Sequence, residues 1–415
     1  SRRGPGGGAD RGFRRPGDAA VALNAVNGSG QRTVSVLGSS GSVGVSTVDL
    51  LMAHPERFRV RALVGGRNAQ VLASQARALR AEITVIADEA AYPALVSALA
   101  GTGLRTACGT QAVLDAAALP ADWTMAAITG AAGLPPTLAA IRRGGAIALA
   151  NKEALVCAGS VMLCAVRDAG ATLLPVDSEH NAIFQAMAEN NRGGVERIVL
   201  TASGGPFRTA SLDDMARATV EAALRHPVWS MGAKISIDSA TMFNKGLELI
   251  EAARLFDMDE SDIGVLVHPQ SVVHGMVHYR DGSVLAQMGS PDMRIPIAHT
   301  LAWPGRLPTN SPRLDLAATG TLEFFEPDLV RFPALRLARD ALRSGGGAPT
   351  ILSAANEVAV EAFLARRLGF TAIAELVAAV LDRLGSPPAD TLAAVMDLDG
   401  AARRSAQALV ELHAA

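Results

Sequence analysis

From Thr33 to about Pro175, short apolar runs alternate with amphipathic stretches. Thr33–Leu37, Val60–Val64, Thr84–Ile86, Met125–Ile128, Ala146–Leu149 and Thr172–Val176 read as strands, and the stretches between them as helices. That alternation predicts a doubly wound parallel sheet in an α/β fold, here a Rossmann-like domain over residues 31–176. Residues 177–304 mix helices with longer strands at Val195–Thr201, Gly264–His268, Ser271–Tyr279 and Val284–Met288, which fits an α+β domain. Asp281-Gly282 between the last two strands predicts an antiparallel hairpin. Residues 305–347 are rich in Pro and Gly and read as a connecting arm. Residues 348–415 are Ala/Leu-rich and read as a small helical bundle.

Composition narrows the classes. Of 415 residues, 49% are hydrophobic but only 4% aromatic, so the cores rest on Ala, Val, Leu and Ile. The net charge of -2 offers no global basic field for nucleic acid or an anionic membrane. No apolar run is long enough to span a membrane. Cys108, Cys157 and Cys164 form no CxxC pair, which argues against a disulfide framework and for a reducing cytoplasm. Cys157 and Cys164 read as core packing. Residues 1–30 carry Gly6-Gly7-Gly8 and five arginines without an apolar segment; they read as a disordered tail, with a transit peptide as the alternative.

Candidate chemistry begins at Gly38-Ser39-Ser40-Gly41-Ser42-Val43-Gly44, between the first strand and a helix. Glycines there allow a tight turn and backbone approach to a pyrophosphate, and the helix N-terminus adds free N–H groups. The spacing is GxxGxxG, and a plain structural loop is the alternative. The second strand ends in Gly65-Gly66-Arg67-Asn68, with a guanidinium where an NAD-binding protein has a carboxylate. This favours the 2′-phosphate of NADP over NAD; a surface arginine is the alternative.

Asp177-Ser178-Glu179-His180 follows the strand ending at Val176. If strand geometry persists, Asp177 and Glu179 share a side and offer hard oxygen ligands suited to Mg²⁺ or Mn²⁺. In the run from Ile235 to Glu248, a helix entered near Ser239 or Thr241 puts Asn244, Lys245 and Glu248 on one face. Ser and Asn donors beside a lysine make a phosphate seat, and a carboxylate one turn on reaches a metal. Asn151-Lys152-Glu153 sits where a strand ends and a helix begins. The Ser203-Gly204-Gly205 turn presents donors to an anion. His226, Trp229 and Met231, with Gly232, suit a lid, although a core role for the tryptophan is open. His268, His274 and His278 read as sheet packing or a subunit contact rather than a zinc site.

Together the stretches LGSSGSVG, ANKEALV, PVDSEH, TASGGPFR, RHPVWSMGAKISIDSATMFNKGLELIEA, HPQSVVHGMV, SPDMRIPIAH, LEFFEPD and ILSAANEVAVEAF resemble the deoxyxylulose phosphate reductoisomerase family, from about Val34 to the C-terminus. Ser40, Val43 and Gly65 stand where that family usually has Thr, Ile and Ala. The resemblance implies an NADPH- and metal-dependent enzyme (Mg²⁺, Mn²⁺ or Co²⁺) of isoprenoid precursor synthesis. Its substrate would be 1-deoxy-D-xylulose 5-phosphate and its product 2-C-methyl-D-erythritol 4-phosphate. It implies that Asp177, Glu179 and Glu248 hold the metal, with Lys152 and His226 also catalytic. Ser203, Ser239, Asn244 and Lys245 would hold the phosphate, and Lys152 and Ser178 the substrate hydroxyls. His226, Trp229 and Met231 would lie on a closing loop. Gly38, Ser40, Gly41, Ser42, Val43, Gly66, Arg67, Asn68, Asn151, Glu153 and Gly232 would line the cofactor. It also implies a homodimer formed through the middle domain. An NADP-dependent dehydrogenase without skeletal rearrangement and a non-catalytic NADP-binding sensor are the competing readings.

Overall fold

The computed structural model describes residues 30–187, 189–229 and 231–414. The expectation for the tail lies, but for Gly30, outside these residues.

Seven parallel strands form the first sheet. In chain order they are β1 (Arg32–Leu37), β2 (Phe58–Gly65), β3 (Ile83–Ile86), β4 (Arg105–Cys108), β5 (Trp123–Ala126), β6 (Ala146–Leu149) and β7 (Thr172–Pro175). Their spatial order is β4-β3-β2-β1-β5-β6-β7, so the chain reverses direction of travel between β1 and β5. Ligands bind at the carboxyl ends of strands beside such a reversal. β4 was not expected from the sequence. It lies on the sheet edge with no residue fully buried, so it carries no apolar run to betray it. β5 begins two residues earlier than predicted, because Trp123 and Thr124 are buried strand residues.

Helices cover both faces of the sheet. α1 (Ser42–Ala53), α2 (Ala69–Leu79) and α3 (Tyr92–Leu99) lie toward a core built on Val34, Val36, Leu51, Leu63 and Leu72. On the other face α4 (Gly109–Ala117), α5 (Leu134–Arg143) and α6 (Lys152–Ala169) enter a second, larger core. Then follows α7 (Ser178–Ala186).

The second sheet has the order β11-β10-β8-β9, with β8 (Val195–Ala202), β9 (Ile263–Val267), β10 (Val273–Tyr279) and β11 (Val284–Met288). β10 and β11 form the antiparallel hairpin read from Asp281-Gly282. Between β8 and β9 run two short helices, α8 (Leu212–Ala216) and α9 (Val220–Ala223), then α10 (Ala233–Thr241) and α11 (Phe243–Phe256). Met242 at φ 66° breaks the path between the last two, so the single helix entry expected near Ser239 is two helices.

α12 (Arg294–Ala302) turns back onto the first sheet: Ile297, Ala298 and Leu301 join the core of Val34 and Leu51. The arm holds the short α13 (Leu316–Thr319), a bridge from Phe325 to Val267, and α14 (Ala334–Ser344). α14 packs Leu335, Leu337, Ala338 and Ala341 into the larger core, so the arm's second half is integral to the body. The terminal helices are α15 (Ala348–Leu364), α16 (Ala372–Leu384) and α17 (Leu392–Ala414). Cys157 is buried as expected. Cys164 is exposed, since it faces outward on α6, and all three cysteines are free.

Candidate active site

α7 starts where β7 ends, and Asp177 occupies its N-cap position without making a side-chain cap bond. Its carboxylate turns instead to Lys152, whose Nζ lies 2.5 Å from Oδ2. Glu179 sits in the first turn of α7, where the helix dipole favours negative charge. This corrects the sequence reading: a helix start, not strand alternation, sets these two carboxylates. The reason is local, because the backbone bends into the helix at Asp177 (φ -55°, ψ 134°) and Ser178 is already helical.

The third carboxylate comes from α11. Asn244, Lys245 and Glu248 share one face, as the i, i+3, i+4 spacing required. Asn244 Nδ2 donates to Glu248 Oε1 at 2.5 Å. Lys245 Nζ donates to Glu179 Oε1 at 2.6 Å and also to Glu248. Lys152, the first residue of α6, donates to Asn244 Oδ1 at 2.8 Å and Glu248 Oε1 at 3.0 Å. Oxygens of Asp177, Glu179 and Glu248 all lie within 4.8 Å of one another. Lys245 therefore sits between carboxylates.

Burial sharpens these charges. Glu248 is fully buried, and burial together with Glu179 pushes its carboxyl up to about 7 despite Lys152 and Lys245. Burial also works to keep Glu179 protonated, yet Lys245 and the Ser178 hydroxyl hold it well below the usual carboxylate range. For Lys152 burial opposes the charge, but Asp177, Glu248 and Glu251 outweigh it and raise the ammonium. Three carboxylates face two ammonium groups here, and Glu251 adds a fourth buried carboxyl nearby. A cluster so short of positive charge, offering only hard oxygens, fits a divalent cation such as Mg²⁺.

A cavity of about 370 Å³ opens beside this cluster. Ser203, Ser239, Asn244 and Lys245 line it, with Ser178 and Lys152 alongside Asp177, Glu179 and Glu248. Ser203 Oγ lies 2.8 Å from His226 Nε2, while His226 Nδ1 accepts from the backbone N–H groups of Val228 and Trp229. Burial lowers His226 from its ordinary value, which favours the neutral ring those two bonds require. His226, Trp229, Met231 and Gly232 form one wall. Ser42 and Val43, from the start of α1, also line the cavity.

The remaining predicted cofactor residues lie outside this cavity. Gly38 has φ 92°, and a side chain there would strike the Ala127 backbone. Gly41 caps α1, and Ser40 is packed near Gly65. Gly66, Arg67 and Asn68 are exposed at the end of β2, and Asn68 Oδ1 accepts from Val71 N. Asn151 caps α6 through Ala154 N and donates to Gly130 O. Glu153 turns away to Lys234 Nζ at 2.7 Å.

Several lining residues were not singled out in the sequence. His274 was read as packing or a subunit contact. It is buried on β10, its Nε2 lies 3.1 Å from Gly289 O, and its ring meets Trp229 edge-on at 6.1 Å. Its signal was the HPQSVVHGMV stretch, which counted toward the family resemblance while its histidines were weighed only as zinc ligands, packing or a subunit contact. Ser46, one turn beyond Val43, left no signal, and the Asp292-Met293 turn was seen only as part of the SPDMRIPIAH stretch. Neither His268 nor His278 lines the cavity; His268 stacks on Phe324.

A doubly wound sheet whose switch point opens beside a cavity lined by a convergent carboxylate trio defines a dinucleotide-dependent, metal-assisted oxidoreductase. Models of the 1-deoxy-D-xylulose 5-phosphate reductoisomerase match residues 34–159, and models of its C-terminal domains match 173–256 and 288–405. A Gluconobacter oxydans relative named 1-deoxy-D-xylulose 5-phosphate reductoisomerase is 63% identical over 91% of this chain and 93% of its own. The Zymomonas mobilis enzyme of that name, solved in complex with NADPH, aligns with TM-score 0.88 and 53% identity, covering 92% of this chain and 99% of that one. A DOX-P reductoisomerase in complex with NADPH, fosmidomycin and magnesium aligns with TM-score 0.87 and 42% identity, covering 92% and 98%. The chain belongs to the 1-deoxy-D-xylulose 5-phosphate reductoisomerase family.

Proposed function

We propose that this chain converts 1-deoxy-D-xylulose 5-phosphate to 2-C-methyl-D-erythritol 4-phosphate with NADPH and a divalent metal, in the non-mevalonate route to isoprenoids. The observation that carries the reading is the trio Asp177, Glu179 and Glu248 converging beside the cavity. When bound, NADPH supplies reducing equivalents, and the divalent ion supplies Lewis-acid stabilisation of oxygen charge as the carbon skeleton rearranges.

The chain's own residues do the rest. Asp177, Glu179 and Glu248 would hold the ion. Lys152 and Ser178 are set to orient substrate hydroxyls, and Ser203, Ser239, Asn244 and Lys245 to seat the phosphate. Ser203 Oγ and His226 Nε2 share a hydrogen bond that aims the hydroxyl into the cavity. Trp229 and Met231 supply an apolar wall, which strengthens the polar contacts by excluding water. The glycine-rich turn from Gly38 to Gly44, with Gly66, Arg67, Asn68, Asn151, Glu153 and Gly232, would serve the cofactor. Of these, Asn151 and Glu153 would contribute mainly by shaping the α6 start, since their side chains already have partners. The domain division proposed from sequence, with residues 31–176 for cofactor and 177–304 for chemistry, is compatible with these positions.

The test is NADPH oxidation with 1-deoxy-D-xylulose 5-phosphate, with and without EDTA. Turnover should require metal. Asp177→Asn, Glu179→Gln and Glu248→Gln should each lose about a hundredfold or more in kcat, with NADPH affinity kept. EDTA-resistant turnover in these variants would contradict the assignment. A dehydrogenase that does not rearrange its substrate would need no such trio.

We further propose a cytoplasmic homodimer. The three free cysteines support a reducing compartment, and no helix among the described residues is long and apolar enough to cross a membrane. Recovery of the activity in a membrane fraction would argue against that location.

A further inference from the structure

α6 is not one continuous helix. Ala158 departs from helical geometry at φ -122°, ψ 33°, which separates a short leading segment, Lys152–Cys157, from the rest. Asn151 caps the front of that segment through Ala154 N at 3.2 Å. Its rear is met by Arg254, whose Nη1 donates to the carbonyls of both Leu155 and Val156. Carbonyls at the end of a helical segment carry its negative dipole end, and a guanidinium there acts as a cap.

Three features mark this contact as built. Among the described residues no carboxylate is ion-paired with Arg254, and its hydrogen bonds go to these two backbone carbonyls. Burial brings its guanidinium down to about 10, so the contact carries a desolvation cost. Gly159, beside the break, leaves space that Arg254 fills: a methyl group there would overlap Cδ and Nε of Arg254 and force the arginine to move. The glycine thus serves the arginine.

Arg254 stands on α11, the helix that also carries Asn244, Lys245 and Glu248. Lys152, at the front of the capped segment, is the group that bonds Asn244 and Glu248. One helix therefore holds both the partners of Lys152 and the clamp on the segment that bears it. We propose that Arg254 is a positioning residue for Lys152: it seats the broken leading turn of α6 on α11, so that the ammonium reaches the site at a fixed distance. Gly159 is the second half of the device.

The proposal rests on the assignment of Lys152 to the substrate site. The test is a double-mutant cycle of Arg254→Met with Lys152→Gln, read as kcat/KM and as the dissociation constant for 1-deoxy-D-xylulose 5-phosphate. Small misplacements of a reacting group are costly, so Arg254→Met alone should lower kcat/KM by about tenfold or more. In the Lys152→Gln background the same change should cost under about twofold, because coupled residues do not add. Arg254→Lys, which keeps the charge but not the fork, should fall between. Gly159→Ala, which displaces the arginine, should behave as Arg254→Met does. Equal losses in both backgrounds would overturn the proposal and leave Arg254 with a packing role only. A Lys152→Gln enzyme of unchanged kcat/KM and affinity would instead overturn the reading of the site. Should Arg254→Met not fold, by its melting curve, the cycle runs on Arg254→Lys with the same two outcomes.

Discussion

Arg67 is exposed at the carboxyl end of β2, two residues past the strand, with its guanidinium facing solvent. A charged group so placed costs little to hold in the free protein and meets a phosphate where the ribose of a dinucleotide would lie. Arg67→Ala should therefore weaken NADPH far more than NADH. A charge-assisted contact of this kind is worth about 1.5–3 kcal/mol, or about ten- to a hundredfold in affinity. Titrating both cofactors into the variant checks this; equal losses would show that Arg67 does not read the phosphate. Single residues were also where sequence reasoning was thinnest. Residue type told that Glu153 belongs near a strand end. It did not tell that Lys234, 81 positions away, would draw the carboxylate out of the cavity. His274 shows the converse: the lack of any further metal-ligand pattern left it as packing or a subunit contact, and the fold places it in the cavity lining beside Trp229.

At the scale of elements, His226, Trp229, Met231 and Gly232, between α9 and α10, line the cavity. His226 Nδ1 accepts from the backbone N–H groups of Val228 and Trp229, its Nε2 meets Ser203 Oγ, and the Trp229 ring meets His274. A connection between helices that lines a site suits a lid. The tryptophans make this testable without substitution. Trp123 is 0% exposed and Trp303 8%, whereas Trp229 is only partly buried, so acrylamide reaches Trp229 first. Adding fosmidomycin, Mg²⁺ and NADPH should reduce quenching and shift the emission. Quenching that is unchanged in the complex would mean that the segment does not close. The helix face of Asn244, Lys245 and Glu248 was legible because 3.6-residue periodicity is local. The break at Met242 was not, since a left-handed residue other than Gly or Asn carries no sequence mark.

At the scale of the molecule, the second sheet ends in β11, where Val284 is 46% and Leu285 48% exposed. Successive strand residues point to opposite faces, so at the start of this edge strand each face exposes an apolar side chain. Uncovered apolar edges mark association surfaces. Sedimentation of the wild-type chain should give twice the 42.8 kDa chain mass, and Leu285→Arg should shift it toward that single mass. A wild-type monomer at micromolar concentration would refute the dimer.

The sequence alone determined the doubly wound sheet, the glycine-rich turn, the hairpin at Asp281-Gly282 and the shared face of α11. Each depends on periodicity or on backbone freedom within a few residues. Tertiary structure decided what required distant chain to meet. It brought Asp177 and Glu179 to Glu248 and set Lys152 and Lys245 among them, so that three carboxylates face two ammonium groups. It also returned α12 to the first sheet and set Arg254 against the break in α6. Spacing along a chain records which side chains share an element. Which elements share a core depends on the packing of all of them at once, and charge and desolvation follow from that packing.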